Sequence, residues 1–215
     1  MKKRISFSVL SVALLLCFAF FPITAYTQEG LSGAAALDLL AEAVDVEVFD
    51  APGAEPSFEY DSAHYNLTVE RKDETLSVKI SKKNRSYLRG ETVKVYLPMG
   101  DYSSVNVKAD ASTVTLPPFN ADFKGTAGAS TMVCYLPEDF AHDINFTAEV
   151  SDVTMYLHRA LQDFVITVKG EVSDISLPDG VVSGVAVGEG THNFQISANT
   201  SNVDISWYDG SMDSE

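Results

Sequence analysis

The chain has 215 residues, 46% of them apolar, 21% charged and 10% aromatic, with 30 acidic residues against 15 basic ones. These proportions describe a globular protein and exclude a collagen-like, coiled-coil or wholly disordered one. The formal charge of −15 argues against nucleic acid as a partner, because binding a phosphate backbone needs an excess of Lys and Arg.

The first segment reads as an export signal over residues 1–25. Lys2, Lys3 and Arg4 precede an apolar run from Val9 to Phe21 broken only by Ser11, followed by Pro22 and the small residue Ala25. That order is the order of a secretory signal peptide, and it places the cut after Ala25. The competing reading is an uncleaved anchor, because Phe7 to Tyr26 is about 20 residues, enough to span a bilayer. A membrane partner is expected only in that case. Cys17 follows Leu16, where a lipidation signal needs a small residue, so a lipid anchor is not expected. Cleavage leaves Cys134 as the one cysteine, with no disulfide to form. Its place between Met132 and Leu136 on an alternating apolar face marks it as a buried, inert hydrophobe.

Residues 26–43 form a lead. Ser32 followed by GAAALDLLAEA suits a short capping helix, and an equally simple reading leaves this alanine-rich stretch loose. Period-two strands follow at VDVEVF (44–49), YNLTVERKD (65–73), TLSVKISKK (75–83) and TVKVYLP (92–98).

From residue 105 a repeat takes over. Five segments align on Ser112, Ser130, Ser151, Ser173 and Ser201. Seven residues before each serine stand Val105, Phe123, Ile144, Ile166 and Phe194, and three before stand the small residues Ala109, Ala127, Ala148, Gly170 and Ala198. Two after come Val114, Met132, Val153, Ile175 and Val203. Alternation on both sides of the serine means strand, turn, strand. Leu97, Leu116, Leu136, Leu157 and Leu177 recur at about 20-residue intervals, and Pro98, Pro117, Pro137 and Pro178 follow four of them. Proline lacks the amide hydrogen a ladder needs, so it ends pairing at the same corner of each unit. The surplus between Leu177 and Trp207 contains VVSGVAV, read as an extra half turn.

Two short strands per unit cannot bury their inward faces alone, so the units must stack. The expected fold is all-β: a single-stranded β-solenoid, β-helix-like, with turns of roughly 20 residues and a short N-terminal capping helix, over residues 44–207. An antiparallel sandwich is the alternative, since its strands also alternate and recur. The serines are placed to hydrogen-bond up the stack. The tail, 208–215, is acidic and expected to be disordered.

The TLSVKI strand, the VYLPMG junction and the units VSDVTM, VSDISL and STVTL resemble the bacterial putative-adhesin domain of unknown function, over roughly residues 44 to 207. Ser151-Asp152 and Ser173-Asp174 keep the serine-aspartate pair of that family's turn, whereas Thr113, Thr131 and Asn202 replace the acid. The resemblance implies an exported repeat protein at a bacterial cell envelope, with adhesion or partner binding as its role.

Chemical motifs are sparse. His64, His142, His158 and His192 lack metal-ligand spacing. Asp152 and Asp174 offer one acid per unit, too few oxygens for calcium, which takes six to eight. No cofactor is expected. Four N-x-[ST] sequences, at Asn66, Asn84, Asn145 and Asn199, are read as coincidence. Tyr135 and Tyr156 occupy equivalent outward positions in successive units, with Thr154 and His158 on the same face. Exposed tyrosines side by side give a partner a large contact area at low entropic cost, and a pair that only braces the sheet is the competing explanation. The expected function is therefore a secreted or envelope-bound, non-catalytic, adhesin-like protein whose partner is an envelope protein or a glycan. The alternative is a carbohydrate-active enzyme, a polysaccharide lyase or hydrolase. Arg85, Arg89 and Arg159 are the bases such a groove would need, and no spacing joins them to an acid pair.

Overall fold

A computed structural model describes residues 23–27, 30–84 and 92–210. The export signal therefore lies outside the described residues except at its end. Ile23–Thr27 forms strand β1, which straddles the cut expected after Ala25 and pairs antiparallel with β4, Ser57–Asp61.

The remaining strands are β2 (Ala36–Glu42), β3 (Asp45–Asp50), β5 (Tyr65–Lys72), β6 (Thr75–Lys82), β7 (Val93–Leu97), β8 (Ser104–Asp110) and β9 (Thr113–Thr115). They continue with β10 (Asp122–Gly128), β11 (Thr131–Leu136), β12 (Ile144–Glu149), β13 (Asp152–His158), β14 (Phe164–Glu171), β15 (Asp174–Ser176), β16 (Ala186–Val187), β17 (His192–Asn199) and β18 (Asn202–Tyr208). They form two nine-stranded sheets. Sheet A has the order β1-β4-β7-β3-β9-β11-β13-β18-β15, and sheet B the order β16-β14-β17-β12-β10-β8-β2-β6-β5. One core of buried residues draws on both sheets.

A single-stranded β-solenoid, or β-helix, is thus overturned. Successive coils of a solenoid must lie in chain order, and here they do not. The last unit, β17–β18, is inserted between β12–β13 and β14–β15, while β2–β3 lies between β6–β7 and β8–β9. The sheets are also mixed: β1, β4, β5 and β16 join by antiparallel pairing. The expected capping helix is absent too. Leu37, Leu39 and Ala41 alternate inward along β2 and are buried, so the period-two pattern overrides alanine's helical preference. Nor is VVSGVAV a half turn of the repeat. It lies along β14, where the Val168 amide donates to Ser183 Oγ at 3.1 Å and the Gly184 amide to the Ile166 carbonyl at 2.7 Å.

The inward columns do run in register across neighbouring parallel strands. Val105 pairs with Phe123, Phe123 with Ile144, Ile144 with Phe194, and Phe194 with Ile166. Within them Gly125 makes room for an aromatic, since a Cβ there would sit 2.2 Å from the Phe146 ring. Cys134 is fully buried, and burial pushes its thiol up to about 12.

Each sheet-to-sheet corner is built in the same way. Ala111, Ala129, Val150, Val172 and Thr200, one before each serine, take φ between 47° and 52°, which turns the chain sharply at the end of one strand. The following serine hydroxyl donates to the carbonyl two residues back at 2.7–3.0 Å. It also accepts the amide of the equivalent residue on one neighbouring unit. The rungs run Val44 to Ser112, Ser112 to Ser130, Ser130 to Ser151, Ser151 to Ser201 and Ser201 to Ser173, each at 3.1–3.2 Å. Buried backbone amides at the corner are thereby satisfied without water. Ser173 is the last rung, and Val44, lacking a hydroxyl, stands at the other end.

Candidate docking surface

The corners hold β11, β13 and β18 side by side in sheet A, so every second side chain of these strands points away from the core. Tyr135 pairs directly with Tyr156, and Thr154 lies between Val133 and Asp204. The Tyr135 and Tyr156 rings stack with centroids 4.8 Å apart and planes 17° apart. Tyr208 closes the group, meeting Tyr135 edge-on at 5.5 Å and Tyr156 at 6.4 Å. His158 meets Tyr208 at 5.5 Å with planes at 89°.

The structure brings three of the four expected residues into one aromatic cluster. Thr154 lies on the same face, one step toward the serine corner. His158 Nδ1 accepts the Ala160 amide at 3.2 Å, leaving Nε2 as the ring's remaining polar atom. Arg159 is joined to Asp209 at 2.9 Å on the exposed rim. All four expected residues and Tyr208 are half-buried. Burial raises the Tyr135 and Tyr208 phenols above their ordinary value, aided at Tyr135 by Tyr156 and at Tyr208 by Tyr135.

Sequence reasoning did not find Tyr208, which ends β18 one residue into the expected tail. It also did not find Phe49 and Tyr96, paired on β3 and β7 and stacked at 5.1 Å with planes 20° apart. Thr115 pairs with Val133 and with Glu47, so β9 lies between β3, which carries Phe49, and β11, which carries Tyr135, and the Phe49–Tyr96 stack stands on the same sheet as the tyrosine cluster. The signal that would have found it is the outward column extended backward: Phe49 follows Glu47 by two, as Tyr135 follows Val133.

Stacking takes up one face of each of the Tyr135 and Tyr156 rings, and Tyr208 meets both at a steep angle, so less ring face is left for the contact by which aromatics hold sugars than separate rings would offer. Asp204, Asp152 and Asp174 lie along the same sheet and give its surroundings negative charge.

No known family model matches the chain, and no curated protein matches it. Among solved structures, the chain is similar to a putative cell adhesion protein from Clostridium sporogenes ATCC 15579, with a TM-score of 0.53 and 14% identity over 86% of this chain and 98% of that one. It also matches a putative lipid binding protein from Parabacteroides distasonis ATCC 8503, with a TM-score of 0.39 and 11% identity over 86% and 96% of the two chains. At these identities the first likeness speaks for a shared all-β fold.

Proposed function

We propose that the chain is an exported, non-catalytic interaction protein of the bacterial cell envelope, adhesin-like in role, which docks a protein partner on the outer face of sheet A. The observation that carries this reading is the half-buried cluster of Tyr135, Tyr156, Tyr208 and His158, on the same sheet as the Phe49–Tyr96 stack. Tyrosine is enriched where interfaces gain most of their binding energy. The acidic surroundings suit a partner whose apolar patch is ringed by Lys or Arg. The leader over residues 1–25 supports export, and the likeness to a structure named a putative cell adhesion protein fits this class of role.

The test is saturable binding of the full chain to cell-envelope fractions before and after protease or periodate treatment. Protease sensitivity is expected. Tyr135→Ala with Tyr156→Ala should weaken binding by at least about tenfold, as should Thr154→Arg, which adds bulk without removing an aromatic. Unchanged binding by both variants, with circular dichroism showing them folded, removes the reading. Periodate sensitivity with protease resistance would instead assign the face to a glycan.

A further inference from the structure

The outer face of sheet B is built differently from that of sheet A. Along β8, β10, β12, β17 and β14, the side chains between the inward columns fall into rows set by the strand register. One row runs Asn106, Lys124, Asn145, Gln195, Thr167, and the next runs Lys108, Thr126, Thr147, Ser197, Lys169. Neither row holds an acid, in a chain with 30 acidic residues against 15 basic ones. The acids stand in the rows on either side, with Asp122 and Asp143 on one and Asp110, Glu149 and Glu171 on the other.

The polar groups of these two rows are free to meet a ligand. Among the described residues only Asn106 uses its side chain in a hydrogen bond, donating to Asp38 Oδ1 at 3.1 Å. Asn145 and Gln195 are direct neighbours in register, yet their amides do not bond each other. A ladder of amides bracing the sheet would be the simplest structural use of such a pair, and the rows do not form one. Two hollows of about 550 and 340 Å³ indent the same face, the first lined in part by Thr147, Lys169 and Ser197, the second by Lys124, Asn145 and Gln195.

The chemistry of the rows selects the ligand. They carry no aromatic or large apolar side chain, the anchors on which a protein interface or a lipid depends. Acids border the three lysines on both sides, which disfavours nucleic acid and acidic polymers. Amides, hydroxyls and ammonium groups set donors and acceptors side by side, an arrangement suited to a neutral ligand covered in hydroxyl groups. Repetition at ~4.8 Å from strand to strand suits a polymer, because the rise per ring of an extended β-linked polysaccharide is close to that spacing.

We propose that the outer face of sheet B binds an extended, neutral, β-linked polysaccharide, laid across β8, β10, β12, β17 and β14 with about one sugar ring per strand. With no aromatic ring to stack on, each sugar is held by hydrogen bonds alone, which contribute little singly. Affinity therefore accumulates with the number of rings engaged at once. The site lies on the other sheet from the tyrosine cluster, and neither depends on the other.

Calorimetric titration of the full chain with purified oligosaccharides tests this, using dimers through hexamers of β-linked glucose and of β-linked N-acetylglucosamine, with oligogalacturonate as the acidic counterpart. Binding to at least one neutral series is expected, rising with length and levelling off at about five rings. Asn145→Ala with Gln195→Ala should weaken hexamer binding by at least about tenfold, as should Ser197→Arg, which adds bulk beside the amides and removes only a hydroxyl. Circular dichroism of each variant confirms the fold. Absence of binding to both neutral series overturns the proposal and leaves the rows as a solvated face. Preference for oligogalacturonate overturns it too, since the lysines would then be serving an acidic polymer. So does sugar binding that survives both sheet B variants, including binding lost only with Tyr135→Ala and Tyr156→Ala, which would move the sugar to the tyrosine cluster. These titrations contain no envelope material, so their failure and the failure of protein docking on sheet A are read separately.

Discussion

The amide of Ser151 donates to the hydroxyl of Ser201 at 3.1 Å, although 50 residues of chain separate the two. The bond forms because the last unit is inserted beside the third, where its serine continues the ladder of rungs. Ser151 is buried, and its own hydroxyl accepts the Ser130 amide while donating to the Glu149 carbonyl. Ser151→Ala leaves a buried amide without its acceptor, at a cost of about 1–3 kcal/mol. Ser173→Ala, at the more exposed last rung, should cost less than half as much, because water can replace the hydroxyl. Urea denaturation of both variants checks the order. Equal losses would mean that the rungs do not depend on burial.

The same residues show what was legible beforehand. The inward columns, the small residue before each corner and the serines could be read directly, because alternation and spacing are properties of neighbours in sequence. The spatial order of units could not. Phe194, Ile196 and Ala198 present nearly the same inward profile as Ile166, Val168 and Gly170, so either strand fits the slot beside β12. The choice falls to the 14 residues between Leu177 and His192, which give the chain slack to leave a slot and return to it. β2 was obscured for a different reason: its Leu37, Leu39, Ala41 alternation sits among alanines whose intrinsic preference is helical. Of the docking face, the Tyr135–Tyr156 pair was visible as a repeated column. Tyr208 was not, because it occupies a position two residues further along its strand and reaches the pair only across the sheet.

Gly125 replaces the large inward residue found at Val107 and Phe146 on either side of it. Its missing side chain is the space into which the Phe146 ring fits. Gly125→Ala should therefore destabilise the protein by about 1–3 kcal/mol through overpacking, despite alanine's lower backbone entropy cost. Pairing it with Phe146→Leu, which withdraws the ring, should recover part of the loss. A double-mutant cycle with no coupling between the two sites would refute the packing explanation.

Val150 sits at φ 52° with its side chain 65% exposed. A β-branched residue in the left-handed region is strained by about 1–2 kcal/mol, and little buried area is lost by removing this one. Val150→Gly should raise the midpoint of thermal unfolding by about 2–4 °C, for a net gain near 1 kcal/mol after the entropy cost of glycine. Val150→Ala, which keeps a Cβ, should change it less. A lower midpoint for the glycine variant would show that Val150 is held there by contacts worth more than its strain.

Alkaline pH should destabilise the protein through buried and half-buried acids that the fold holds protonated. Burial raises the Cys134 thiol from 9.0 to about 12 and raises the Tyr102, Tyr135 and Tyr208 phenols above 10.0. In each case the folded state holds the proton more tightly than the unfolded chain does. Their stabilisation is complete below the unfolded values, begins to fall as pH passes about 9 for the thiol and about 10 for the phenols, and is lost as pH rises through the folded values. Urea midpoints measured from pH 7 to 11 should decline only above about pH 9. Cys134→Ala should remove the earliest part of that decline while costing some stability at neutral pH, because the thiol fills core volume. At pH 8 the native thiol should resist a water-soluble disulfide reagent and react upon unfolding in urea. Rapid labelling of the native chain would show that Cys134 reaches solvent, and the alkaline argument would fall with its burial.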